Sequence, residues 1–259
     1  MESKNPVFSR QSSRQQAWGQ PAPSADQLQS MYDAPAYAPP AYRPMTIDDV
    51  VVRGFMTLGT LVVAGAAAWV LNVPYTVAVV SALIGLVLGL IAAFRQSTNP
   101  LLILGYAVFY GVFVGSFSHL MEGFFNGIVL QAVLGTALAF GGVLAVHSLK
   151  VIRVTPKLYR YVGAAAIAAL GLMLVNIIAS IFVDGGIGIR ADNPLGWIFS
   201  IAMILLGCFF LLLDFDSIEQ AVRAGAPEKL AWQMAFGLTL SLVWIYLEVL
   251  RFLSYFSDN

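Results

Sequence analysis

From residue 54 onward the chain alternates between uncharged apolar stretches and short polar links. The stretches are Gly54–Leu71, Pro74–Phe94, Pro100–Ser118, Gly127–Val146, Tyr161–Val183, Pro194–Leu213 and Leu230–Leu247, each 18 to 23 residues long. A helix crosses a bilayer core with about 20 apolar residues. A barrel strand needs only about 9–11, and at the lengths seen here only helices satisfy every backbone group in lipid. The pattern predicts seven membrane-spanning helices, with sequence neighbours antiparallel because the links are short. Thr46 and Asp49 ahead of the first stretch resemble a helix capping box, and Asp48 and Asp49 suit a helix N-terminus, so the first helix is expected to start near residue 46. Gly85 with Gly89 and Gly111 with Gly115 have the spacing that lets helix backbones approach closely in lipid.

Residues 1–45 follow another pattern. They hold seven of the twelve prolines and many Ser, Gln and Ala, as in QQAWGQPAPSADQLQS. Such a segment buries too little apolar area to offset its ordering entropy. It is expected to be a disordered cytoplasmic tail with polyproline II character, either a tether or, through Tyr32, Tyr37 and Tyr42, a docking segment for a protein partner. The opening MESKNPVFSR has no apolar core, so no cleavable signal is expected. The domain reading is a tail over 1–45 and a helical membrane domain over 46–256.

Composition narrows the class. The chain is 59% hydrophobic and only 11% charged, with a mean hydropathy of +0.78. A soluble domain carries roughly 25% charged residues, so a soluble enzyme is excluded, as is a nucleic-acid binder with a basic face. Net charge is zero, which gives no bulk attraction to nucleic acid. The lone Cys208 forms no intramolecular disulfide and is read as an inert thiol. No HExxH, GxSxG, Gly-Xaa-Gly-Asp, Walker or Rossmann pattern is present, and the last stretch has no lysine after Lys229 to hold a retinal. No enzymatic activity and no cofactor are expected.

Charge distribution sets the expected orientation. Lys4, Arg10, Arg14, Arg43, Arg53, Arg95, Lys150, Arg153, Lys157, Arg160, Arg223 and Lys229 fall on one side, and only Arg190 and Arg251 on the other. By the positive-inside rule the N-terminus is cytoplasmic and the C-terminus outside.

Ionisable groups at membrane depth are costly and read as functional by default. The sixth stretch ends in LLLDFDSI, with Asp214 and Asp216, and the seventh region contains WIYLEVLRFL, with Glu248. Asp214 is either an interfacial carboxylate or a buried one, while Asp216 is expected to face water or the following loop. Glu248 and Arg251, three residues apart, share a helix face and are expected to neutralise each other. Asn176 and Gln131 are candidate interhelical hydrogen-bond partners. His119 and Glu122 sit at a link and are read as solvated side chains.

Seven spans with LLLDFDSI in the sixth and WIYLEVLRFL in the seventh resemble the Bax-inhibitor-like family (transmembrane Bax inhibitor motif, YccA-like). NPVFSR, MTIDDVVVR, LDFDSIEQAVRAGAPEK and FGLTLSLVWIYLE resemble its actinobacterial branch, and the likeness covers about 46–256 plus the NPVF element. The resemblance implies a seven-helix bundle with a central last helix in a bacterial plasma membrane. It also implies a pH-sensitive calcium-leak channel, in which a carboxylate from helix six and one from helix seven share a proton when closed and bind calcium nearby. Asp214, with Ile218 completing Asp-Xaa-Xaa-Xaa-Ile, matches the first position. Glu248, in Tyr246-Leu247-Glu248, matches the second. Arg53, Arg95 and Arg251 are the expected charge partners. A non-conducting regulator that binds membrane proteins or a protease is the alternative, and a proton-coupled transporter a third.

The pair lies 34 residues apart, farther than in the family. If the last helix begins at Leu230, Glu248 lies about 27 Å along it, Asp214 sits at the opposite membrane face, and no pair can form. If Phe236–Phe256 is the span, with a cytoplasmic helix broken at Gly225-Ala226-Pro227 before it, Glu248 is mid-membrane and the pair can form. The second register is the expected one.

Overall fold

A computed structural model describes residues 42–257 together with Ser24, Ala25 and Gln29. Tyr42–Asn259 is one compact unit. It contains seven helices: α1 (Ile47–Val70), α2 (Tyr75–Phe94), α3 (Pro100–Phe124), α4 (Ile128–Ser148), α5 (Pro156–Ser180), α6 (Pro194–Arg223) and α7 (Leu230–Ser254). All seven are long and apolar enough to cross a membrane. Apart from Ser24, Ala25 and Gln29, the expected tail lies outside the described residues up to Ala41, as do NPVF, Tyr32 and Tyr37, while Tyr42 is described and exposed.

The helix starts follow local chemistry. Thr46 Oγ1 accepts from the Asp49 amide, and the Asp49 carboxylate accepts from the Thr46 amide at 2.9 Å, which completes the capping box. Asn99, Thr155 and Asn193 cap α3, α5 and α6, each followed by proline in the first turn, where its missing N–H costs nothing. The outward faces carry Val63, Phe94, Leu138, Ile167 and Ile181, all exposed. In water that would be a large penalty; in lipid it is the required surface.

Helices α1 and α3 meet backbone to backbone. A Cβ on Gly115 would run into the Gly65 carbonyl oxygen, and one on Gly111 into that of Leu61. The expected role of Gly111 and Gly115 in packing is met, with Gly65 as their counterpart. Helix α7 packs against α1, α3, α4 and α6 and buries Phe236, Thr239, Ser241, Ile245, Glu248 and Leu250, so the last helix is central.

One end of the bundle collects the start of α1, the end of α6 and the start of α7. Met45 is buried against Val50, Ile218 and Ala231. Its amide donates to Ala226 O at 2.7 Å, while the Glu228 amide donates to Arg43 O at 3.0 Å. Residues 43–45 thus clasp the α6–α7 link. At the opposite end, Arg251 donates to Arg190 O at 2.7 Å. The two basic residues expected on the sparsely charged side, Arg190 and Arg251, meet there.

The last helix takes the other register. Helix α6 runs unbroken to Arg223, the chain turns through Gly225 at φ 65°, and α7 starts at Leu230. No separate helix broken at 225–227 forms. The clasp engages Ala226 and Glu228 in the link, and the extra residues lie in the extension of α6 to Arg223 and in the start of α7.

Candidate functional site

The seam between α6 and α7 carries both expected carboxylates, at different depths. The Asp214 carboxylate accepts from the Ser241 hydroxyl at 2.5 Å, and a Cβ on Gly237 would lie 3.2 Å from the same carboxylate. The α7 position facing Asp214 is therefore Ser241. Glu248 is seven residues farther, two turns or about 10 Å along the helix. Asp214 and Glu248 do not bond each other, which corrects the expected proton-sharing pair. They do not converge on one calcium site either, and no cluster of three or more metal-ligating side chains occurs among the described residues.

Between them the seam is apolar and close-packed. A Cβ on Gly207 would fall 2.7 Å from Ile245 and 2.9 Å from Trp244. The Trp244 indole N–H donates to Met203 O at 3.1 Å. The absence of a side chain at Gly207 is what lets Trp244 and Ile245 pack this closely against α6.

Glu248 is buried, and its partner is Arg190. The guanidinium reaches both carboxylate oxygens, at 2.7 and 3.0 Å, and lies over the Phe199 ring at 5.4 Å. This corrects the expected Glu248–Arg251 pair. Arg251 instead donates to the Arg190 carbonyl and, through Nε, to the Tyr255 hydroxyl, bracing the segment that carries Arg190. That segment, 181–193, folds back over the bundle through Gly185, Gly186 and Gly188, all at positive φ. Asn176 accepts from the Ile187 amide at 3.0 Å, so it holds this loop rather than a neighbouring helix. Gln131 is exposed.

The remaining candidates are placed elsewhere. Arg53 pairs with Glu228 at 2.5 Å and lies 3.8 Å from Asp49; it does not reach Asp214. The Arg95 side chain forms no hydrogen bond or ion pair among the described residues and lines a cavity at the end of the bundle where α1 and α7 start. Asp216 accepts from Tyr159 at 3.2 Å and Gln220 at 2.5 Å, so it is partnered rather than free in water. Glu122 accepts from the Gly127 and Val129 amides at 2.6 and 3.0 Å, tying the α3–α4 turn. His119 makes a tilted ring contact with Trp69, centroids 4.9 Å apart. Cys208 is a half-buried thiol.

A bundle of seven apolar helices around a central last helix, with a buried and a half-buried carboxylate along one helix seam, is a multi-pass integral membrane protein. The chain matches the family described as Bax inhibitor 1 like over residues 5–258 and belongs to that family. A search of curated proteins finds no match.

Proposed function

We propose that the protein is a pH-responsive cation leak pathway of a bacterial plasma membrane, with calcium as the transported ion and no enzymatic step. In this reading the positive-inside rule puts the tail, the α6–α7 link and the clasp in the cytoplasm. The observation that carries the proposal is Asp214. Its carboxylate lies on the α6–α7 seam with the Ser241 hydroxyl as its partner and forms no ion pair with a cationic side chain among the described residues. Protonated, it is neutral and holds Ser241 across the seam. Ionised, it is a bare charge among apolar helices, and such a charge draws in water or a cation. Conduction therefore rises as pH rises. Glu248, neutralised by Arg190, marks the other end of the same seam, and the Trp244–Gly207 contact between them is the barrier.

The second reading, a non-conducting regulator, is favoured by a different observation. Residues 43–45 are clasped to the α6–α7 link, so a protein that pulled on the tail would act on those two helices directly. Calcium entry into proteoliposomes of the purified protein, at a series of pH values, tests the first reading. Entry that increases with pH supports it. No entry at any pH supports the second.

A further inference from the structure

A cavity of about 560 Å³ opens where the α2–α3 link meets the starts of α1 and α7. Arg53, Arg95, Lys229 and Trp232 line it, with the polar link residues Gln96 to Asn99, and no carboxylate does. Arg53 lies over the Trp232 ring at 5.7 Å, and its charge is answered by Glu228. Arg95 and Lys229 differ: neither side chain has a hydrogen bond or ion pair among the described residues. The floor is ordered, because the Asn99 amide donates to Ser97 Oγ at 3.2 Å and Asn99 Oδ1 accepts from the Leu101 amide at 3.0 Å.

Two large apolar side chains flank this basic pocket in sequence. Phe94, the last residue of α2, is 84% exposed, and Leu101, in the first turn of α3, is 82% exposed. A soluble anion would use the two cations and leave these side chains idle. An amphiphile uses both: its phosphate seats between the cations and its chains run down the apolar wall. Basic pockets between membrane helices near the headgroup level have this chemistry.

We propose that this cavity binds the phosphate headgroup of an anionic phospholipid, held by Arg95 and Lys229, with the acyl chains against Phe94 and Leu101. The site joins the α2–α3 link to the first turn of α7, so an occupied site ties the central helix to its neighbours. The proposal is independent of whether the protein conducts.

The test is thermal unfolding of the full-length protein in neutral detergent, titrated with short-chain phosphatidylglycerol, short-chain phosphatidylcholine or inorganic phosphate. Phosphatidylglycerol is expected to raise the melting temperature at lower concentrations than phosphatidylcholine, and inorganic phosphate to do little. Arg95→Gln with Lys229→Gln is expected to weaken the phosphatidylglycerol response about tenfold or more, given the attraction of anionic lipid for each basic residue near the surface. Both side chains are exposed and unpartnered, so the double variant should fold, and Arg95→Lys with native Lys229 should retain most of the response. Lys150→Gln with Arg153→Gln removes the same charge from the α4–α5 link and should change nothing. An unchanged response in the first double variant would overturn the proposal. An equal loss in the control pair would reduce it to bulk charge attraction and overturn the site. A response to inorganic phosphate as strong as to phosphatidylglycerol would make the ligand a soluble phosphate and overturn the lipid assignment.

Discussion

Glu248 and Arg190 form a two-pronged ion pair, with side-chain exposures of 8% and 20%. Removing one member of a buried pair costs more than the pair contributes, because the survivor is left charged and unpaired. Glu248→Gln and Arg190→Gln should each lower stability by about 2–4 kcal/mol, somewhat below the range for a fully buried pair since Arg190 keeps some access to solvent. The double variant should cost much less than the sum of the two. Unfolding in detergent measures all three, and additive losses would mean the pair is not energetically coupled. Asp214 and Glu248 were legible in the sequence as acidic residues inside apolar runs. Their partners were not. Ser241 is an unremarkable residue in an apolar helix, and Arg190 lies 58 residues from Glu248. The available signal for Arg190 was a lone cation beside Gly185, Gly186 and Gly188 on the side otherwise almost free of Lys and Arg. Residue type said that a charge was there, and only the fold could say what neutralised it.

The helices were legible because membrane spans obey one strong rule, that every backbone group must be satisfied within the segment. Their ends were less so, because hydropathy stops at the lipid boundary while hydrogen bonding does not. Helix α6 continues past Leu213 to Arg223, with Glu219 and Arg223 paired four residues apart. The register of α7 was misjudged for a related reason: the clasp from residues 43–45 fixes the link, and no local pattern announces a contact with residues 226–228. This sharpens where the tail can be cut. Deleting residues 2–41 should leave the bundle intact, whereas deletion through Met45 removes a fully packed side chain and two backbone hydrogen bonds. That longer deletion should lose about 2–5 kcal/mol, the range for emptying a buried methionine site. Equal stability of the two truncations would show the clasp to be incidental. Between α1 and α3, Gly115→Ala should cost about 1–3 kcal/mol by forcing the backbones apart. Gly59→Ala, with open space around it, should be neutral or slightly stabilising in the same assay.

At the scale of the whole molecule, the bundle separates its charges by end. Part of the twelve-to-two division of Lys and Arg read from the sequence is visible in space among the described residues. Arg190 and Arg251 meet at one end, while Arg53, Arg95 and Lys229 share a cavity at the other. Reporter fusions at Asn259 and in the 150–160 link should therefore give opposite signals, the second cytoplasmic. A cytoplasmic signal from Asn259 would invalidate the orientation assigned here. Other titratable groups lie near Asp214 on the same half of the seam. Tyr159 bonds Asp216 and Ser217, and His147 lies 3.4 Å from Glu219, so these groups are to be told apart from Asp214 as sources of a pH response.

Calcium entry into proteoliposomes between about pH 5 and 8, compared for the native chain, Asp214→Asn, Glu248→Gln and His147→Gln, separates these sources. Asp214→Asn keeps the shape and a hydrogen bond to Ser241 but removes the titration. The account predicts entry that rises with pH in the native chain and in His147→Gln, and entry that no longer varies with pH in Asp214→Asn. Glu248→Gln should keep a pH response, because Glu248 belongs to Arg190 and not to Asp214. A native pH response in Asp214→Asn, or one lost equally in Glu248→Gln without loss of folded protein, would contradict Asp214 as the separate proton-sensing group of this seam.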